Sequence, residues 1–305
     1  MLVSGIALGA IYALLALGFV IIFKATQVVN FAHGAIAAVG AYLTAYFAVT
    51  LNFPGSLIGG PRWLQWSLSA VVAILMTAVV GLVLERLFIR PMIGEPLFSV
   101  AIITLGIDIL VRTITDDFIG TGVRPVGDPW GAGIWNIGGI RIAQTQIVTV
   151  LVAAAAMVAV AAFFRSRTGV AMRATAFDQE AAMAQGIGVG RIFALSWGIG
   201  AALAAIAGIF ASVFPRSPGV MATTTAFFAF RAFPAVILGG LDSVGGAVVG
   251  GFVIGIVEVA AGTYLSPYAD VLGVGFQGIV PYLVMLLVLL IRPYGLFGTK
   301  EIRRV

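Results

Sequence analysis

The sequence predicts an all-α integral membrane protein: one polytopic bundle of about eight to nine transmembrane segments, with broken or re-entrant helices near 24–34 and 226–245. Three observations predict it. Of 305 residues 61% are apolar, and only 29 are charged, 17 Lys and Arg plus 12 Asp and Glu, where a soluble domain carries roughly a quarter. So few polar side chains cannot cover a water-facing surface, which excludes a soluble enzyme. Apolar runs of about the length that crosses a bilayer core recur from one end of the chain to the other.

In chain order the runs are Leu2 to Phe23, Phe31 to Leu51, Ser67 to Leu84, Leu97 to Ile114, Ile147 to Phe164, Ile192 to Phe214, Ala226 to Leu241, Val244 to Tyr264 and Val271 to Ile291. The first lacks a basic stretch before it and meets Lys24 after it, so it reads as a mature helix rather than a signal peptide. Ala226 to Leu241 is the weakest, being short and holding Arg231 and Pro234. Orientation follows the cations. With the N-terminus outside, Lys24, Arg86, Arg90, Arg165, Arg167, Arg173, Arg191, Arg292, Lys300, Arg303 and Arg304 are cytoplasmic, 11 in all, against five outside, Arg62, Arg112, Arg124, Arg141 and Arg216. The stretch 115–146, with Asp116, Asp117, Trp130 and Trp135, reads as an external, partly ordered loop with interfacial aromatics. The stretch 165–191 reads as a cytoplasmic loop carrying a short helix and ending in the Gly186, Gly188, Gly190 turn. All of it belongs to a single transmembrane domain over 1–305.

Chemistry is sparse. No Cys is present and His33 is the single histidine, so disulfides, thiolates and histidine-rich metal or haem sites are absent. Neither Lys24 nor Lys300 follows a phosphate-binding glycine loop, and Arg191 stands where the last Gly of a dinucleotide motif belongs. The chain therefore does not itself use ATP. The net charge of +5 is spread over short loops as an orientation bias, not as a nucleic-acid surface. No paired histidines or facing carboxylates suit catalysis, so no catalytic residue and no metal ligand is assigned.

Two acids, Asp108 and Glu258, sit within apolar runs. Three readings stand for them: a hydrogen-bonded carboxylate at a helix interface, a coupling-ion site, or the polar lining of a substrate path. The segment Asn30-Phe31-Ala32-His33-Gly34 reads either as a helix cap, with Asn30 capping and Gly34 allowing a close neighbour, or as a discontinuous helix lining a path. Gly246, Gly250, Gly251 and Gly255 give two small-xxx-small pairs, the pattern that lets helices approach closely in lipid.

Four stretches in fixed order carry a resemblance: VVNFAHGAIAAVGAYL (28–43), GVAMRATAFDQEAAMAQGIGVGRI (169–192), FRAFPAVILGGLDSVGGAVVGGFVIGIVE (230–258) and RPYGLFG (292–298). The chain resembles the permease subunits, LivH type, of bacterial branched-chain amino-acid ABC importers. Ala35 stands where an acidic residue is common in that family, and Asp108 and Pro234 also look like departures. The resemblance implies a multi-pass inner-membrane subunit and a paralogous permease subunit as its heterodimeric partner. It also implies two ATP-binding cassette ATPases that hold ATP and Mg, and a periplasmic or lipid-anchored substrate-binding protein. Ala174 to Gly186 becomes the coupling helix, with Arg173, Asp178, Glu180, Ala181, Ala182 and Gly186 contacting the ATPase. Specificity then rests with the binding protein, and the pathway passes a small, mostly apolar zwitterion. A permease for urea or short amides, or a gradient-driven carrier using Asp108 or Glu258, are the alternatives.

Overall fold

The structure, a computed structural model, describes residues 1–298 apart from 94, 121 and 274. Lys300, Arg303 and Arg304, assigned above to a cytoplasmic tail, lie outside the described residues. Thirteen helices and one hairpin follow in order: α1 Leu2–Thr26, α2 His33–Ala45, α3 Gly55–Ile58, α4 Arg62–Leu84, α5 Leu97–Ile119, β1 Ile134–Ile137, β2 Ile140–Ala143, α6 Gln144–Arg165, α7 Arg167–Phe177, α8 Gln179–Ala184, α9 Val189–Ala211, α10 Ala222–Gly239, α11 Val244–Tyr264, α12 Ala269–Leu272 and α13 Val280–Ile291. Among the described residues eight helices are long and apolar enough to cross a membrane. Inside hydrocarbon only helices satisfy their own backbone, which is why each apolar run adopts one.

The first helix is the hub. Of its most apolar stretch 89% is buried, against 22% for α6 on the perimeter, and α11, α9, α6 and α10 enclose it. Glycines set these distances. A Cβ at Gly251 would fall 2.4 Å from Ala13 N, and one at Gly255 would fall 2.2 Å from Gly9 N. On the other side of α11, Cβ atoms at Gly246 and Gly250 would lie 2.1 Å from Gly239 O and 2.2 Å from Ala235 O of α10. The two glycine pairs thus serve two different partners of α11. Around this centre α4 packs on α9 and α2, α5 on α2 and α10, and α13 on α10 and α11.

Contacts between loops sort the chain into two ends. At one, Lys24 Nζ donates to Asp242 O at 2.8 Å, Arg90 Nη2 to Gly190 O at 2.8 Å, and Leu296 N to Leu238 O at 2.8 Å. At the other, Trp66 Nε1 donates to Val126 O at 3.1 Å, Gln146 Nε2 to Ser4 Oγ at 3.0 Å, and Arg124 pairs with Val220. Among the described residues the Lys24 end holds eight cations, Lys24, Arg86, Arg90, Arg165, Arg167, Arg173, Arg191 and Arg292, and the Arg124 end holds four, Arg62, Arg124, Arg141 and Arg216. Arg112, counted with the outer loops from sequence, is instead on α5.

Several expectations need correction. No helix is broken near 24–34: α1 is continuous to Thr26, and residues 27–32 link it to α2, held to α5 by Phe31 N donating to Thr104 Oγ1 at 3.2 Å. Nor is 226–241 re-entrant, because α10 runs without interruption through Pro234. A proline removes the N–H that the carbonyl four residues earlier would receive. Here that carbonyl, Phe230 O, accepts from Tyr282 Oη of α13 at 3.0 Å. The bend occurs elsewhere, where Ser266–Leu272 and Phe276–Ile291 meet at 92° in the run expected to be one straight helix. The order expected in part of the outer stretch 115–146 takes two forms. Its first residues extend α5 to Ile119, and β1 and β2 pair antiparallel across Gly138 and Gly139, both at positive φ, 59° and 82°.

Candidate functional site

Polar side chains inside the spans gather into two ion pairs and one buried seam. In the first pair Tyr12 Oη of α1 donates to Glu258 Oε2 of α11 at 2.6 Å, and Arg231 Nη1 of α10 lies 3.8 Å from Glu258 Oε1. The Glu258 side chain is 9% exposed and that of Arg231 51%. A carboxylate there requires compensation, which a hydroxyl donor and a guanidinium supply. In the second pair Asp108 and Arg112 of α5, one helical turn apart, are in close ionic contact, and the Arg112 guanidinium lies 5.4 Å from the centre of the Phe227 ring on α10. Asp108 and Glu258 therefore each answer to a different arginine, Arg112 beside Phe227 of α10 and Arg231 one turn further along the same helix.

The seam holds Asn30 and His33, both buried. Asn30 Oδ1 accepts from Ala32 N at 3.1 Å, which shapes the link before α2 without capping the helix itself. The His33 ring lies tilted against that of Phe19, centroids 4.4 Å apart, and fills the space above Gly18, where a Cβ would fall 2.5 Å from His33 Cε1. At Gly34 a Cβ would lie 2.2 Å from Ala226 O, so α2 and α10 meet backbone to backbone. Asn30 and His33 thus lie inside the protomer, among α1, α2 and α10.

At the Lys24 end the stretch 165–191 folds as two short helices rather than one. Ser166 Oγ accepts from Gly169 N at 3.2 Å to start α7, and Asp178 Oδ1 accepts from Ala181 N at 2.9 Å to start α8. Arg173 Nη1 donates to Phe164 O at 2.8 Å, fixing α7 beneath the end of α6. Glu180 and Ala181 are exposed, Ala182 is buried, and Gly186 closes α8 at φ +78°. Phe177, the last residue of α7, stands 95% exposed, a large apolar side chain beside the break at Asp178. Sequence reading passed over it, although a Phe between Ala and Asp in a polar stretch was the available signal. A second feature was also missed: Glu85 of the turn after α4 is buried and paired with Arg90 at 3.2 Å, and Arg90 in turn holds Gly190 O at the start of α9.

Comparison with known proteins agrees with this architecture. A family model described as "Branched-chain amino acid transport system / permease component" matches residues 1–289. The chain belongs to that family. The permease is 33% identical over 310 residues to the high-affinity branched-chain amino acid transport system permease protein LivH of Escherichia coli K12, covering 99% of this chain and 96% of that protein. It is 32% identical over 312 residues to BraD of Pseudomonas aeruginosa, covering 100% and 97%. Among solved structures it is similar to PsaBC from Streptococcus pneumoniae in complex with Fab, at 12% identity and a TM-score of 0.48 over 95% of this chain and 91% of that one. The permease is accordingly a multi-pass membrane transport subunit and not an enzyme. Among the described residues no group of three His, Cys, Asp or Glu side chains gathers to hold a metal.

Proposed function

We propose that this permease is one membrane subunit of an ABC importer for branched-chain amino acids in a bacterial inner membrane. It supplies part of the pathway, together with a second, paralogous permease subunit. Two ATPases that hold ATP and Mg dock at the Lys24 end, which is cytoplasmic. A periplasmic or lipid-anchored binding protein delivers substrate at the Arg124 end. The observation that carries the reading, given the family, is the α7–α8 hairpin. It is capped at both starts, stands at the cation-rich end, and offers Phe177, Glu180 and Ala181 outward.

In this reading the hairpin converts motion of the ATPases into motion of helices, because it is bolted to the bundle rather than hung from it. Arg173 ties α7 to the end of α6, and Arg90 ties the end of α4 to the start of α9. Asp178 and Gly186 set the entry and exit of α8, so their role is to hold Glu180 and Ala181 in register, while Ala182 packs inward. Glu258 and Asp108 each lie beside an arginine, a local compensation that the importer reading accommodates without a coupling ion.

The test is uptake in proteoliposomes holding the full complex. Glu180→Lys and Gly186→Trp should abolish uptake and substrate-stimulated ATP hydrolysis while leaving insertion intact. Uptake that persists without the ATPases would overturn the reading, and normal stimulated hydrolysis in both variants would overturn the assignment of the hairpin.

A further inference from the structure

Arg231 holds a full charge within a membrane span, yet half of its side chain is exposed. It shares its exposed face of α10 with Thr223 and Phe227, four residues apart in succession, and with the adjoining Thr224. The opposite face, with Ala226, Ala229, Ala232 and Ala235, is buried. Other exposed helix faces in this protein look different. The exposed residues of α13 include Leu283, Leu286, Leu287, Leu290 and Ile291, and those of α5 include Ile102, Leu105 and Ile109. Two threonines and an arginine do not suit hydrocarbon, where arginine at mid-span faces a bundle interior or water.

The guanidinium is also unspent. Among the described residues its ion pair is the 3.8 Å approach to Glu258, too long for a hydrogen bond, while Tyr12 holds Glu258 in place from behind. A guanidinium carries five N–H donors in a planar fork that fits a carboxylate with two parallel hydrogen bonds.

We propose that Arg231 is a carboxylate-binding point on the wall of the translocation pathway. It takes the carboxylate of the passing amino acid, with the Phe227 ring beside it as apolar surface for the side chain. Glu258 and Tyr12 are positioning residues that keep the guanidinium aimed along the exposed stripe, and the second permease subunit closes the opposite wall. The proposal rests on the importer reading above.

The absence of native cysteine makes the test direct. In the full complex, Thr224→Cys and Phe227→Cys are treated with a charged, membrane-impermeant methanethiosulfonate, with Ile109→Cys and Leu286→Cys as lipid-facing controls. The stripe positions should react at least tenfold faster than the controls. Leucine, delivered by the binding protein, should slow modification of Phe227→Cys at least threefold, should still do so in Arg231→Lys, and should not do so in Arg231→Gln. Stripe cysteines that react only with a membrane-permeant maleimide would overturn the aqueous wall, and equal protection in Arg231→Gln would overturn the carboxylate role. Wild-type uptake in the same vesicles separates the two levels. If uptake without ATPases shows the importer reading to be wrong, both fall; if ATP-driven uptake proceeds and the stripe is inert, only this proposal falls.

Discussion

Tyr282 Oη donates to the carbonyl oxygen of Phe230 at 3.0 Å, and Phe230 is the residue four before Pro234. A hydroxyl from α13 thus replaces the backbone donor that proline lacks, and α10 crosses unbroken. Tyr282→Phe should cost about 1 kcal/mol of stability. In a Pro234→Ala background, where residue 234 regains its N–H, the cost should shrink. Thermal unfolding in detergent of the two single variants and the double variant measures this, and an identical cost in both backgrounds would remove the explanation.

Gly255→Ala should destabilise by about 1–3 kcal/mol, because the new methyl group would meet the backbone of Gly9 at 2.2 Å and neither helix has room to retreat. Gly245→Ala, on the same helix with nothing within 4 Å, should be neutral or slightly stabilising. The comparison is read from melting curves and from the fraction running as a single species on gel filtration. Equal effects at both positions would count against glycine-mediated contact between α1 and α11.

Tyr12→Phe should cost about 1.5–3 kcal/mol, since it leaves one oxygen of a buried carboxylate without its donor. Glu258→Gln keeps an acceptor and should cost less. The double variant should be more stable than the sum of the singles by at least 0.5 kcal/mol or so. Strict additivity would mean that the 2.6 Å contact does not couple the two residues.

Arg90→Ala should be the most damaging change at the Lys24 end, about 3 kcal/mol, because Glu85 is then left buried without its cation. Glu85→Gln, which still accepts from Arg90, should be milder. A larger loss for Glu85→Gln than for Arg90→Ala in the same unfolding assay would reverse the account.

Phe177→Ala should leave the permease itself within about 0.5 kcal/mol of its native stability, as expected for a side chain that touches almost nothing. It should nonetheless reduce co-purification with the ATPases at least tenfold, an aromatic anchor being worth 2 kcal/mol or so in an interface. Undiminished co-purification would show that the knob is not the anchor.

Most of the fold was legible because bilayer thickness imposes a length on every span, and the sequence meets it repeatedly. The sequence also sorted the loop cations into two groups, and the loop contacts place eight of the described cations at the Lys24 end and four at the Arg124 end. What stayed hidden depends on partners far away in sequence. Arg231 and Pro234 made α10 look unfit to span, and each is answered by a residue on another helix, Glu258 and Tyr282. The hairpin of β1 and β2 is a different case. Gly138-Gly139 between Ile-rich flanks is a local turn signal and was readable. Phe177 gave a signal too, a large apolar residue in a polar stretch, but its full exposure follows from α7 ending at the capped break of Asp178, which the local sequence does not reveal.

The central place of α1 has a consequence for how the protein is made. Tyr12 is synthesised 246 residues before Glu258, the carboxylate it will hold. Of the helices that finally surround α1, α6, α9 and α10 are made within that interval and α11 only at its end, so lipid or the insertion machinery must stand in for α11 throughout. Its near-uniform apolar surface suits it to that wait, and its small residues keep the surface smooth enough for later helices to close around it. The helix enclosed most completely among those described therefore receives its last neighbour only when α11 is made.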